Sequence, residues 1–280
     1  MSQNESAARK IISTLIFDVD DTLYDVSTGF TTHRNTDGAV SFMVDRLNFS
    51  SREEAQALRD EYFERFHATA KALKVAEADG RFPPNAPKYE PKDLSEYWAE
   101  NLNFALLGPS ADYANAKSTL ESLQSEHPEL NLVAFSNGPR KYVLRVLREM
   151  GLDEIFPERM VFGVDDILPY CKPEPDSFKC IFERVGDLVG KEIVADQCVM
   201  FEDSMKNIRA AKELGMKTVL IAGKGRLSGG YTAASAAAAE ATKPGDAPVT
   251  SDPAVDVAVE VVADIKVAIP GLWHKIPTFP

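Results

Sequence analysis

The sequence predicts a doubly wound, mainly parallel α/β sheet interrupted by a helical insertion. Three observations predict it. Short apolar runs rich in β-branched residues recur along the chain, helical spacing fills most of the gaps between them, and residues from about 29 to 108 break the alternation. A strand that reads as nearly continuous apolar sequence suits burial on both faces of a parallel sheet. Strands alternating with helices then imply the doubly wound arrangement. With 280 residues, 44% of them apolar, the chain can bury a large core without staples.

The first strand is read from the apolar run Ile11 to Phe17. Four later runs resemble it: Leu132 to Phe135, Met160 to Val164, Cys198 to Phe201 and Thr218 to Ile221. Between them, Tyr142, Val143, Val146, Leu147 and Met150 have helical spacing, with Pro139 near the start and Gly151 placed to cap the end. Ile208, Ala211 and Leu214 mark a second such helix, ended by Gly215. In the insertion, Ser51 and Glu54 form a capping-box pattern that predicts one long helix through Ala76. Its apolar face is read from Phe63, Phe66, Ala70 and Leu73, and a further helix is expected near Leu94 to Leu106. The composition of 223–253, with Gly229, Gly230 and the run Ala233 to Ala239, predicts a disordered loop. A strand from Val255 to Val262 and a short helix follow. The expected organisation is a catalytic core of residues 1–28 and 109–280, with 29–108 as the helical insertion.

Composition narrows the function classes. The net charge of −12 argues against a nucleic-acid polymer as partner, since phosphate backbones need a basic face. The apolar run at Ile11 is too short to span a membrane, and no secretory cleavage pattern precedes it, so a cytoplasmic protein is expected. Three cysteines without C-x-x-C spacing fit a reducing compartment. Lys172 stands beside Cys171, where its charge could lower the thiol pKa; the plainer reading is an inert thiol. Scattered histidines argue against zinc, and Gly223-Lys224-Gly225 does not make a phosphate-binding P-loop. No motif sets an oligomeric state.

The chemistry is read from Phe17-Asp18-Val19-Asp20-Asp21-Thr22-Leu23-Tyr24, directly after the first strand. Ligands of open α/β sheets bind outside the carboxyl ends of the strands, and Asp18 and Asp20 fall there. Carboxylates crowded together repel unless a cation joins them. Three further segments stand at or after strand ends: Ser136-Asn137, Lys172-Pro173 and Glu202-Asp203-Ser204. In this order the four motifs resemble those of the haloacid dehalogenase-like superfamily. The resemblance covers roughly residues 11 to 222 and implies a Rossmann-like core.

It also implies roles. Asp18 would attack phosphorus and form an aspartyl-phosphate. Asp20 would protonate the leaving oxygen and then activate water, with its pKa raised by neighbouring carboxylates. Ser136 and the Asn137 backbone would bind the phosphoryl oxygens. Lys172 would balance their charge and hold Asp18 ionised. Mg2+ would be held by Asp18, the backbone carbonyl of Asp20 and Asp203, with Glu202 reaching it directly or through water. Asp165 and Asp166 divide evenly between the site rim and plain surface. The span from Asp18 to Ser136 has room for a small helical cap, while that from Ser136 to Lys172 leaves none for a second.

The implied substrate is a small phosphorylated metabolite, enclosed by the cap. The dehalogenases of the superfamily lack an acid where Asp20 stands, and the P-type ATPases carry D-K-T-G-T there; a phosphatase or phosphomutase remains. The Asp20-Asp21-Thr22-Leu23-Tyr24 run followed by Ser27-Thr28-Gly29 is similar to the pyrimidine 5'-nucleotidase branch. Sugar-phosphate and phosphoglycolate substrates stay open, as does a catalytically silent binding protein on the same fold. Phe30, His33 and Arg34 are substrate-facing candidates only by nearness to Asp18.

Overall fold

Alternating side chains of the central strands enter two separate hydrophobic clusters, so the sheet is covered on both faces. Leu15, Phe17, Leu132, Ala134, Val199 and Phe201 pack into one cluster; Ile16, Val133, Phe135, Cys198 and Met200 pack into the other. The computed structural model describes residues 11–227 and 248–280. Among these, six strands form one sheet in the order β3-β2-β1-β4-β5-β6, and each neighbouring pair is parallel. The strands are β1 (Thr14–Phe17), β2 (Asn131–Phe135), β3 (Val161–Phe162), β4 (Cys198–Glu202), β5 (Lys217–Ile221) and β6 (Val257–Val259). The chain order runs outward from β1 to β3 and then crosses to the other side of β1. That reversal opens a crevice at the carboxyl ends of β1 and β4. The fold is a Rossmann-like, doubly wound α/β sheet, as the apolar runs predict.

Helices α6 (Ala111–Glu126) and α7 (Arg140–Glu149) contribute Leu120, Leu123, Tyr142 and Val146 to the first cluster. Helices α8 (Pro175–Val189) and α9 (Met205–Glu213) contribute Phe178, Ile181, Ala210 and Ala211 to the second. Pro157 and Pro175 stand where their missing N–H does no harm, and Gly190 ends α8 in a left-handed turn. Gly163 is required: a Cβ there would lie 2.3 Å from the Arg140 amide nitrogen. The short helix α10 (Ile265–Ala268) packs on the first cluster, where Ile265 and Ile269 are buried.

Between β1 and α6 the chain is helical: α1 (Phe30–His33), a π-helical turn (Arg34–Gly38), α2 (Ala39–Leu47), α3 (Arg52–Phe66), α4 (Thr69–Ala78) and α5 (Pro91–Asn101). The expected single helix through Ala76 is two. Ser51 does cap α3 by accepting from the Glu54 amide, but His67 turns left-handed at φ 50° and ends it. The buried face of α3 is Ala55, Leu58, Arg59 and Tyr62; Phe63 and Phe66, expected in the core, are half-buried. The expected strands at Met160–Val164 and Val255–Val262 shorten to their middles, and the helix expected to Leu106 ends at Asn101, with a 3-10 turn at Phe104–Leu106. Of the expected disordered loop 223–253, residues 228–247 lie outside the described residues. Its described ends are turns with partners, including an Arg209–Asp252 ion pair at 2.8 Å.

Candidate active site

Register places the site. Phe17 lies opposite both Ala134 and Phe201, and the Asp18 amide continues the ladder onto the Phe201 carbonyl at 2.9 Å. Asp18 therefore leaves β1 level with the ends of β2 and β4, beside Glu202. The loop then turns sharply: Asp21 takes a left-handed φ of 62°, which aspartate tolerates at modest cost. The Thr31 hydroxyl donates to Asp21 Oδ1 at 2.7 Å, and Tyr24 OH stands 2.8 Å from the Thr31 hydroxyl. The turn is thereby tied to α1.

Lys172 is the centre of charge. Its Nζ donates to Asp18 Oδ1 at 2.6 Å, to Glu202 Oε2 at 2.8 Å and to the Phe135 carbonyl at 2.9 Å. It is 1% exposed. Burial by itself pushes its pKa down, but the charges and hydrogen bonds of Asp18 and Glu202 outweigh that and hold the ammonium above its ordinary value. The Asn137 side chain positions Lys172 by a reciprocal pair of bonds: its Nδ2 donates to the Lys172 carbonyl at 2.8 Å, and its Oδ1 accepts from the Lys172 amide at 2.9 Å. Glu202 Oε1 also accepts from the Ser204 amide at 3.1 Å. Thr22 Oγ1 lies 3.3 Å from Asp18 Oδ2 and 3.4 Å from Asp203 Oδ1.

Asp20 points elsewhere. Its Oδ2 pairs with Arg34 Nη1 at 2.5 Å and accepts from the Ser136 hydroxyl at 2.9 Å. Its Oδ1 accepts from Tyr24 OH at 2.7 Å and from Tyr142 OH. The expectation that neighbouring carboxylates raise the Asp20 pKa is overturned. Burial does raise it, but Arg34 and the tyrosine and arginine hydrogen bonds outweigh burial, and the net shift is downward. Burial and the Asp20 charge in turn hold Tyr24 and Tyr142 well above the ordinary phenol value, so both remain donors.

Arg34 lies on the π-helical turn, a distortion frequent at functional sites. Its guanidinium carbon sits 5.5 Å from the Trp98 ring centre and 5.2 Å from that of Tyr142. Of the three candidates chosen by nearness, Arg34 alone bonds to a motif carboxylate. Phe30 is a fully buried core ring against Tyr24 and Phe104, and His33 Nε2 accepts from the Asn103 amide. Asp165 and Asp166 hold backbone instead: Asp165 Oδ1 accepts from the Arg140 amide and Asp166 Oδ2 from the Gly163 amide. Cys171 is not activated. Lys172 turns its amine to Asp18 and Glu202, and burial pushes the thiol up to about 12.

The sequence reading missed Thr22, Tyr24 and Thr31 as site residues, although Thr22 and Tyr24 lie inside the first motif. It placed Tyr142 on an apolar helix stripe, where the ring does pack; that its hydroxyl reaches Asp20 carries no local signal.

Asp18, Glu202 and Asp203 each offer a carboxylate oxygen, and these atoms lie within 4.8 Å of one another. An oxygen-only set of this kind suits a hard divalent cation. The Asp20 carboxylate, occupied by Arg34, is not in the set.

A family model described as haloacid dehalogenase-like hydrolase matches residues 12–215. A curated relative from Thermotoga maritima, named phosphorylated carbohydrates phosphatase, is 26% identical over 148 residues, which is 53% of this chain and 58% of the relative's length. Among solved structures, a HAD phosphatase from Thermococcus onnurineus aligns at TM-score 0.52 with 20% identity, covering 91% of this chain and 97% of that one. A 2-haloacid dehalogenase from Pseudomonas syringae pv. Tomato DC3000 aligns equally well, at TM-score 0.52 with 16% identity over 92% and 97%. These two likenesses establish the fold. Among the described residues, no helix is long and apolar enough to cross a membrane.

Proposed function

The chain belongs to the haloacid dehalogenase-like hydrolase family, and we propose that it is a magnesium-dependent phosphatase of small phosphate monoesters. The observation that carries this reading is one buried cluster: a strand-end carboxylate, Asp18, on a buried lysine, with Glu202 and Asp203 beside it. The retained acid at Asp20 favours ester hydrolysis over halide release, because an alkoxide leaving group needs a proton and a halide does not.

In the first step an Asp18 carboxylate oxygen forms a bond to phosphorus as the ester oxygen leaves, and Asp20 gives that oxygen its proton. In the second, Asp20 takes a proton from water as the water oxygen attacks phosphorus, and the Asp18 carboxylate is released. Lys172 would hold Asp18 anionic and offset phosphoryl charge, and Ser136 and the Asn137 amide would bind phosphoryl oxygens. Asp18, Asp203, the Asp20 backbone carbonyl and Glu202 would hold magnesium, which supplies charge neutralisation at the phosphoryl group. As the structure stands, Asp20 is in the base form required by the second step.

Residues 29–108 are the proposed cap over this site, with 1–28 and 109–280 as the core. Two substrate classes have support. The Asp21-Thr22-Leu23-Tyr24 run favours a pyrimidine nucleoside 5'-monophosphate, while the curated relative favours a phosphorylated carbohydrate. Phosphate release from a panel of nucleotides, sugar phosphates, carboxylated phosphate esters and phosphopeptides, with magnesium, decides between them. Chelation should abolish release and magnesium restore it. Activity that survives full chelation, or preference for phosphopeptides, would falsify this reading.

A further inference from the structure

Arg59 is a buried cation with most of its hydrogen-bonding edge unused. It is 7% exposed, and its Nη1 donates to Asp60 at 2.9 Å, but Nε and Nη2 are buried without a partner among the described residues. Stacking over Phe63, 3.8 Å from the ring centre, engages the face of the guanidinium and leaves its in-plane donors free. Burying such donors unpaired is costly. Burial lowers the Arg59 pKa, Asp60 opposes that, and Arg34 adds a smaller push in the same direction as burial. Phe63 in turn meets the His67 ring at 5.8 Å between centres, and His67 Nε2 lies 2.8 Å from Lys206 Nζ on α9, so this face of α3 fronts the core beside the site. Arg52, earlier on the same helix, bonds Asp37 and Ser41 and so sets α3 beside the turn that carries Arg34. Trp98, against which Arg34 lies, also has its buried indole Nε1 unpaired among the described residues. All three orphan atoms are donors. What completes them must bring acceptors, and two guanidiniums favour those acceptors being anionic.

We propose that Arg59 is a specificity-determining residue which, with Arg34, receives a second anionic group, carboxylate or phosphate, on the leaving-group side of the substrate. This rests on the phosphatase reading above and narrows its substrates to small esters with two anionic ends.

The test is equilibrium binding of non-hydrolysable probes to the full chain with magnesium. Phosphonoacetate is compared with ethylphosphonate for the carboxylate arm, and propane-1,3-bisphosphonate with propylphosphonate for the phosphate arm. The wild type should prefer the doubly anionic member of at least one pair by about ten-fold or more, the scale of a charge-assisted arginine contact. Arg59→Met should reduce that preference to near unity, and Arg59→Lys, which keeps the charge without the fork, should give an intermediate ratio. A wild-type ratio near unity in both pairs overturns the proposal whether or not the variants fold. A preference that survives Arg59→Met in folded protein, checked by thermal melting, also overturns it and assigns the effect to Arg34 or the metal. Failure of the phosphatase reading shows separately, as no phosphate release from p-nitrophenyl phosphate.

Discussion

The strand-end wall of the site and the helical wall handle buried charge in opposite ways. At the strand ends, Lys172 is enclosed between Asp18 and Glu202, and the Ser204 amide takes another Glu202 oxygen. The cation and its two carboxylates are satisfied within a few ångströms, on elements locked by the β1–β4 register. On the helical wall, Arg34 reaches across to borrow Asp20, and Arg59 keeps two donor atoms without partners among the described residues. The first wall is self-contained and the second is incomplete. A self-contained cluster suits chemistry common to many substrates, since it is organised before anything binds. An incomplete wall suits selection, because on the proposed reading the missing acceptors come from the ligand.

The largest expected effect breaks the first wall chemically. Asp18→Asn should lower phosphate release at least about a thousand-fold, because the nucleophile is lost. Lys172 keeps Glu202, so the melting temperature should shift by no more than about 3 °C. Turnover at the wild-type rate would remove Asp18 from the mechanism.

Breaking the same wall electrostatically comes next. Lys172→Met leaves Asp18 and Glu202 buried and facing each other without their cation. Removing one partner of a buried ion pair costs about 3–5 kcal/mol, and denaturant unfolding should show a loss of that order. Adding Glu202→Gln should recover part of it, since only one carboxylate then lacks the cation. No recovery would mean that Lys172 contributes through packing instead of charge.

A smaller effect sharpens the contrast on the helical side. Arg34→Gln should cost about 1–3 kcal/mol, because Asp20 retains donors from Ser136, Tyr24 and Tyr142. The pH dependence has a definite sign. The folded Asp20 pKa lies below its ordinary 3.8, so its contribution is present above that value and lost as pH falls through the folded value. The stability gap between wild type and variant should therefore be full at neutral pH and close only below about 4. A gap that widens on acidification would contradict the Asp20–Arg34 pairing.

How much was legible in the sequence differs between the same two regions. Most of the strand-end wall was legible because Asp18, Ser136 and Glu202 directly follow apolar runs, a local pattern, whereas Lys172, on the connection between β3 and α8, was legible only through the order of the motifs. The parallel register then brings the ends of β1, β2 and β4 level without further instruction. The helical wall was not legible. Helical periodicity marks one face and says nothing of where that face lands. Tyr142 has the spacing of core sequence and delivers a hydroxyl to Asp20; Phe63 and Phe66 have it too and stay half-buried, because His67 breaks the helix and the neighbouring face carrying Tyr62 turns inward.

By itself, the sequence determined the α/β class, the strand sites and the residues gathered at their carboxyl ends, because short-range patterning sets burial and strand geometry carries those residues to one edge. Only the tertiary structure decided the protonation of Asp20, which depends on an arginine from a distant helical turn. It alone also decided that Arg59 is buried with donors unspent. A pKa and an unmet hydrogen bond are properties of what surrounds a group in space, and here the surroundings come from segments far apart in the chain.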